Sequence, residues 1–320
     1  MQRPRALHHA ARPPSGLTQP TPGLLSGTFY SGAVERSRLV ASIVAWYGEH
    51  ARDLPWRRPD TSPWAVLVSE FMLQQTPVRR VLQPWQQWVS RWPTPAALAA
   101  EPVGEALRAW GRLGYPRRAQ RLHAAATAIT SEHEGRVPSD PAVLRTLPGV
   151  GDYTAAAVAS FAFGARQVVL DVNVRRVLAR LEGGTEAPAA APTQAERRRA
   201  EAWLPDAGAA RWSVAAMELG AQVCRAGDPL CSACPVQNDC RWLAAGRPPG
   251  PPRRRQLYEG TDRAARGHLL AHLRALPTDA AATEPRLLEG WPDRAQAVRA
   301  LQSLVDDGLV RRDGDDGYRL

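Results

Sequence analysis

The chain has 320 residues, enough for two domains or for one large domain with an appendage. Apolar residues make up 44 % of it and support a buried core, while none of its apolar runs approaches the roughly eighteen residues of a membrane span. The net charge of +10 favours a polyanionic partner, most often nucleic acid, and because all 41 basic residues are arginine no lysine ε-amine exists to form a Schiff base.

Residues 1–34 are rich in Pro, Gly, Ser and Arg and contain no continuous apolar segment. They read as a disordered extension and not as a secretory leader. From 35 to 245 the pattern is helical. Val40, Ile43, Val44 and Trp46 form one stripe, and segments 64–75, 78–89 and 117–133 continue the period. Proline punctuates it at Pro55, Pro93 and Pro148, and alternating strand runs are missing.

Residues 144–163, LRTLPGVGDYTAAAVASFAF, suggest two helices joined by a tight turn at Pro148, Gly149 and Gly151. Glycines there would turn backbone N–H groups outward at a helix N-terminus, where they can bind a phosphate without reading sequence. An ordinary helix corner is the alternative. Asp171 then follows the apolar run 168–170 and precedes the helical run 172–181, a position in which Asp is most often an N-cap.

Cys224, Cys231, Cys234 and Cys240 are the only cysteines, spaced C-x6-C-x2-C-x5-C. Four thiolates so close read as one metal centre. A single knuckle with two wider steps suits the corners of one 4Fe–4S cluster better than the paired knuckles of zinc sites, although zinc, disulfides and free thiols stay open. Metal-type cysteines without an export signal suggest a reducing cytosol, here a cytoplasmic and nucleoid-associated protein. A Pro/Arg linker at 246–256 leads to residues 257–320, which read as three short helices and a hairpin, a winged-helix-like module. That module is either a structural cap or a DNA contact.

The order of hairpin, acidic residue and four cysteines resembles the helix-hairpin-helix DNA glycosylase superfamily, in the branch of endonuclease III and MutY-type adenine glycosylases. RDLPWR at 52–57 and SEFMLQQTPV at 69–78 resemble the MutY-type members. The resemblance covers about residues 35–245. It implies an all-α helix-hairpin-helix DNA glycosylase fold: a six-helix barrel domain at 58–170 and an iron–sulfur cluster helical domain built from 35–57 and 171–245.

Breaking an N-glycosidic bond requires protonation of the leaving base and stabilisation of positive charge on the sugar, a task for two carboxyl groups in different environments. Glu70 lies among Val66, Leu67, Val68, Phe71, Met72 and Leu73, so facing inward it would have a raised pKa, and facing outward it would be a surface charge. The resemblance makes Glu70 the acid that protonates adenine and Asp171 the stabiliser of the oxocarbenium-like sugar. It places Tyr153 where strand-cutting relatives carry a catalytic lysine, Asn173 near the reacting sugar, and Arg52 and Trp56 in the base pocket. It assigns Gln75, Thr76, Leu113 and Tyr115 to the opposing purine or to a wedge in the base stack, for Tyr115 against the alternative of a packed helix-end ring. Arg225, in the loop 225–230 beside the cluster, is a candidate phosphate contact.

The implied activity is monofunctional excision of adenine opposite 8-oxoguanine or guanine in double-stranded DNA, by a monomer that hands its abasic product to a separate endonuclease. The alternatives are a thymine or uracil mismatch glycosylase, and a non-catalytic DNA-binding regulator with a redox-sensing cluster. Three positions depart from the family pattern: Pro116 replaces a second aromatic, Val214 replaces a polar residue, and 257–320 is too short for a large C-terminal domain that inspects 8-oxoguanine.

Overall fold

A computed structural model describes residues 27–251, 258–278, 280–314 and 316–320. Helix α1 (Gly27–His50) begins eight residues before the expected end of the N-terminal extension, so residues 27–34 are helical, and residues 1–26 lie outside the described part. A short 3₁₀ turn (Pro55–Arg57) leads into α2 (Pro63–Leu73), α3 (Val78–Arg91), α4 (Pro95–Ala99), α5 (Val103–Trp110), α6 (Arg117–Glu132), α7 (Pro141–Leu144) and α8 (Asp152–Phe163). Then come α9 (Val172–Leu181), α10 (Gln194–Trp203), α11 (Ala209–Gln222) and α12 (Arg241–Ala244).

Local chemistry sets several of these starts. Ser62, Thr94, Asp140 and Asp171 each accept a hydrogen bond from the first turn of the helix that follows, and proline occupies the first turn of α2, α4 and α7, where no donor is lost. Thr193 and Glu196 form a reciprocal capping box on α10.

Two apolar cores result. The first packs α2, α3, α5, α6 and α8 around Trp88, Trp92 and Trp110, whose rings meet edge to face. Trp85 fits there because its indole N–H donates to the Ala65 carbonyl at 2.8 Å. The second core packs Leu39, Ile43 and Trp46 of α1 against Val174, Val177 and Leu178 of α9, with Trp203 stacked on Trp212 beneath. Gly220 is obligatory in this core: a Cβ there would sit 2.6 Å from the Cβ of Asn173, so α11 could not pass α9.

The C-terminal module contains α13 (Asp262–Ala275), α14 (Glu284–Leu288) and α15 (Arg294–Asp306). Its sheet has the order β1 (Ala282–Thr283), β3 (Gly317–Arg319), β2 (Arg311–Asp313), so one more strand is present than the sequence pattern indicated. The module shares the first apolar core instead of hanging from a linker. Arg108 Nη1 donates to the carbonyls of Leu273 and Leu276 at 3.0 and 2.8 Å, Arg274 Nε donates to Leu107 O at 3.0 Å, and Asp307 pairs with both Arg117 and Arg266. Residues 257–320 carry nine arginines against eleven acidic residues, a balance that suits a cap better than a phosphate contact. The described part of the linker is also tied down: Trp242 Nε1 donates to Pro248 O at 2.8 Å and Gly250 N to Glu186 Oε2 at 2.5 Å.

Candidate functional site

A cleft of about 1260 Å³ opens between the two cores, lined by α2, the start of α8, the start of α9 and α11. Glu70 enters it from α2, a helix with nine consecutive buried residues, and is itself only 4 % exposed. Its Oε2 is buried without a hydrogen-bond partner. Burial raises its pKa from the ordinary 4.5 to about 7, and the nearby Asp171 charge adds to the rise, whereas a hydrogen bond from Tyr153 and the Arg57 guanidinium oppose it. Tyr153, on the first turn of α8, has its own pKa pushed well above the ordinary phenol value, first by burial and then by Glu70 and Asp171.

Asp171 faces this pair from the N-terminus of α9. Its Oδ1 accepts from Val174 N at 2.7 Å and its Oδ2 from Asn173 Nδ2 at 2.6 Å. Burial holds its carboxyl above the usual range, against these hydrogen bonds and the Arg176 charge. Asp171 is therefore an N-cap and a cleft residue at once. Arg176 continues the network, donating from Nη2 to Asn173 Oδ1 at 2.7 Å and from Nε to Cys224 O at 2.7 Å.

A third carboxylate, buried behind the α11 wall of the cleft, was not singled out in the sequence. Glu218 of α11 is fully buried, and its oxygens accept from Arg52 Nε at 2.6 Å, Arg52 Nη2 at 2.8 Å and Arg57 Nη1 at 2.8 Å. These charge-assisted bonds hold Glu218 below the ordinary carboxylate range and aim two cations at the cleft. Arg57 stood inside RDLPWR, so a signal for it existed; Glu218 in AAMELGAQ had none beyond being acidic on an apolar helix. Trp56 lines the cleft but is 7 % exposed and packs edge to face on Trp85, so it is as much core as pocket. Val214 and Met217 make the facing wall of α11 apolar.

The residues assigned to the opposing strand divide. Gln75 and Tyr115 are exposed and both hold positive φ, +54° and +47°. Thr76 is buried and bonds the Leu113 carbonyl at 3.3 Å. The Leu113 side chain is 4 % exposed inside the first core, and its carbonyl is what meets Thr76. The hairpin glycines also differ. Gly149 has φ +80°, and a Cβ would lie 2.7 Å from Arg121 Cβ, so glycine is required. Gly151 has an extended backbone with open space around it, so the fold itself does not demand glycine there.

The four cysteines are free, half-buried, and line one cavity of about 30 Å³ below the second core. Among the described residues, none of the groups of His, Cys, Asp or Glu is gathered as a ready site for a metal ion. The surroundings nevertheless suit a thiolate-bound group. Arg180 is 1 % exposed, points Nη1 at Cys224 Sγ at 3.4 Å, lies over the Trp242 ring at 4.4 Å and leaves Nη2 buried without a partner. Burial raises the Cys234 thiol to about 12. Arg225 turns back on its own loop, donating to Asp228 O at 2.8 Å, and is not extended toward a phosphate.

Residues 68–205 match the family model described as "HhH-GPD superfamily base excision DNA repair protein". The adenine DNA glycosylase of Mycobacterium tuberculosis (strain ATCC 25618 / H37Rv) is 52 % identical over 283 residues, 87 % of this chain and 92 % of that one, which leaves the relative no room for a large extra domain. The human adenine DNA glycosylase is 38 % identical over 71 % of this chain and 44 % of its own. Among solved structures, a thermostable thymine-DNA glycosylase superposes with a TM-score of 0.62 at 26 % identity, covering 67 % of this chain and 99 % of that one. On the strength of the relative matched almost end to end, the chain belongs to the adenine DNA glycosylase family of the HhH-GPD superfamily.

Proposed function

We propose that the chain binds duplex DNA and excises adenine mispaired with 8-oxoguanine or guanine by hydrolysing the N-glycosidic bond, without cutting the strand. The observation that carries the reading is the buried, unpartnered Oε2 of Glu70, at a pKa of about 7, close enough to Asp171 to feel its charge. A non-catalytic regulator has no use for such convergence.

The base sits inside a stacked duplex and must be flipped out to reach the cleft. Glu70 then delivers its proton to the adenine as the bond to the sugar breaks, and the leaving group departs neutral. The ionised Asp171 stabilises the positive charge on the sugar until water adds and releases a proton that restores the acid. Its two fixed hydrogen bonds stabilise that ionised form. Tyr153 orients Glu70 and offers no amine, so no Schiff base forms and the strand stays intact. Arg52 and Arg57, held by Glu218, face the base. Tyr115 fills the vacated stack, with Gln75 and Thr76 at the opposing purine. The turn around Gly149 and Gly151 offers backbone N–H groups to a phosphate, and the open space at Gly151 is what such an approach requires. One 4Fe–4S cluster held by the four cysteines would supply a rigid scaffold for α9 and for the loop 225–230, with Arg180 as its buried counter-cation.

The test is the identity of the base released from duplexes carrying A:8-oxoguanine, A:G, T:G and U:G under single-turnover conditions. Adenine from the first two supports the reading. Thymine or uracil from the last two, with adenine untouched, installs the mismatch glycosylase instead, the activity named in the structural neighbour's description.

A further inference from the structure

One buried cation lies where three functional segments meet, and neither the excision chemistry nor base recognition uses it. Arg118, on the first turn of α6, is 6 % exposed. Its Nη1 donates to the carbonyls of Phe71 at 2.8 Å, Met72 at 2.9 Å and Gln74 at 2.5 Å. Its Nη2 donates to Thr76 Oγ1 at 2.9 Å, Leu113 O at 3.3 Å and Gly114 O at 3.0 Å. The guanidinium also lies over the rings of Trp110 at 5.1 Å and Tyr115 at 5.6 Å. No carboxylate stands among these partners, and burial lowers its pKa to about 10, which leaves it charged at neutral pH.

A charge buried without a counter-ion is costly, and a fold keeps it only where its geometry is over-determined. Here the six acceptors belong to the end of α2, one and two residues after Glu70, and to the two loops presenting Gln75 and Tyr115. Those two residues account for two of the four non-glycine positive-φ positions in the described residues. Backbone strain of this kind persists only when the surroundings impose it. A forked, planar donor is suited to the task, since it can hold carbonyls of three segments in one plane, which a point-charged ammonium cannot.

We propose that Arg118 is a positioning residue that couples the opposing base to catalysis: through one guanidinium it locks the loops at residues 74–77 and 113–116 to the end of the helix bearing Glu70. A purine that fits against Gln75, Thr76 and Tyr115 thereby registers the general acid, and one that fits poorly lets both loops and the acid drift. The inference rests on the proposed roles of Glu70, Gln75, Thr76 and Tyr115. It does not require the C-terminal module to touch DNA.

The experiment compares the full-length wild type with Arg118→Met, Arg118→Lys and the milder Thr76→Val, which removes one Arg118 contact together with the Thr76 bond to the Leu113 carbonyl. Two readouts are taken: amide hydrogen exchange, and the ratio of single-turnover adenine-release rates on A:8-oxoguanine and A:G duplexes. Arg118→Met is expected to raise exchange in both loops together and to bring the ratio close to one. Arg118→Lys recovers a minor part, and Thr76→Val reduces the ratio several-fold with unchanged thermal stability. Equal slowing on both duplexes, or exchange rising in one loop alone, overturns the coupling. If Arg118→Met fails to fold, Arg118→Lys decides: an unchanged ratio and unchanged exchange in both loops reject the proposal. A wild type that shows no preference between the duplexes defeats the assignment of the opposing-base residues themselves, and the proposal falls with it.

Discussion

The two sides of the cleft are built on opposite principles. On the proposed excision side the groups are the side chains of Glu70, Tyr153 and Asp171, whose pKa values burial shifts. On the opposing-base side they are loops, and what positions them is the buried Arg118, which neither side displays. Titratable groups can be moved by an environment that a helix pattern already announces. A strained loop needs an anchor from elsewhere in the chain. The excision side should therefore fail sharply when one atom changes, and the other side should fail gradually and in a substrate-dependent way.

The largest expected effect is on the excision side. Glu70→Gln and Asp171→Asn should each lower single-turnover adenine release on an A:8-oxoguanine duplex by about 10³-fold, the middle of the range for an acid–base group, while binding is retained. A residual rate within tenfold of wild type in either variant breaks the contrast. Replacing Cys234 by Ser comes next. The wild type should be brown with roughly four irons per chain, and the variant should lose colour together with the order of α9. A colourless wild type holding one zinc removes the cluster.

Removing residues 257–320 should act mainly on stability. The cut exposes the apolar faces that α13 and α15 share with the first core and strips Arg108 of its acceptors. Thermal melting should fall by several degrees or the protein should aggregate. If melting is unchanged but the preference for 8-oxoguanine disappears, the module reads the lesion after all.

The smallest effect sharpens the comparison on a single hydrogen bond. Tyr153→Phe removes a contact that lowers the Glu70 pKa. The pH at which activity declines should move upward, with a change in maximal rate of no more than about tenfold. In the same preparations, borohydride should trap no substantial adduct, because the chain has no lysine to form one.

How far the sequence reached follows the same division. Glu70, Tyr153, Asp171 and Asn173 were legible through the positions they hold in family motifs: the helix period alone left Glu70 open between core and surface, and capping chemistry alone read Asp171 as an N-cap. Asp171 could be read as an N-cap and as the stabiliser of the sugar's positive charge because one position serves both roles. For Leu113 a motif position does not state which way a side chain turns at a loop, and the first core took it. Arg52 was legible but Glu218, more than 160 positions later, was not, since an ion pair between distant helices leaves no spacing to detect. Arg118 was hidden for the same reason: its six acceptors are mostly backbone carbonyls, which every residue has. The strand β1 is two residues long and pairs across the module, below what alternation can reveal.

The most direct test of the account is the pH dependence of single-turnover adenine release by wild type and Glu70→Gln. In the proposed mechanism Glu70 acts as the protonated acid, and burial puts its pKa at about 7. The wild-type rate should fall roughly tenfold per unit above that pH, hold just below it, and decline again in acid where Asp171 takes up a proton. The same shift makes the folded state the tighter proton binder, so wild-type stability should decline as pH rises from 4.5 to about 7, and Glu70→Gln should gain on wild type across that window. In that variant the alkaline limb should vanish along with most of the rate. A wild-type rate that stays level well into alkaline pH, or a variant that keeps the limb, would contradict Glu70 as the acid.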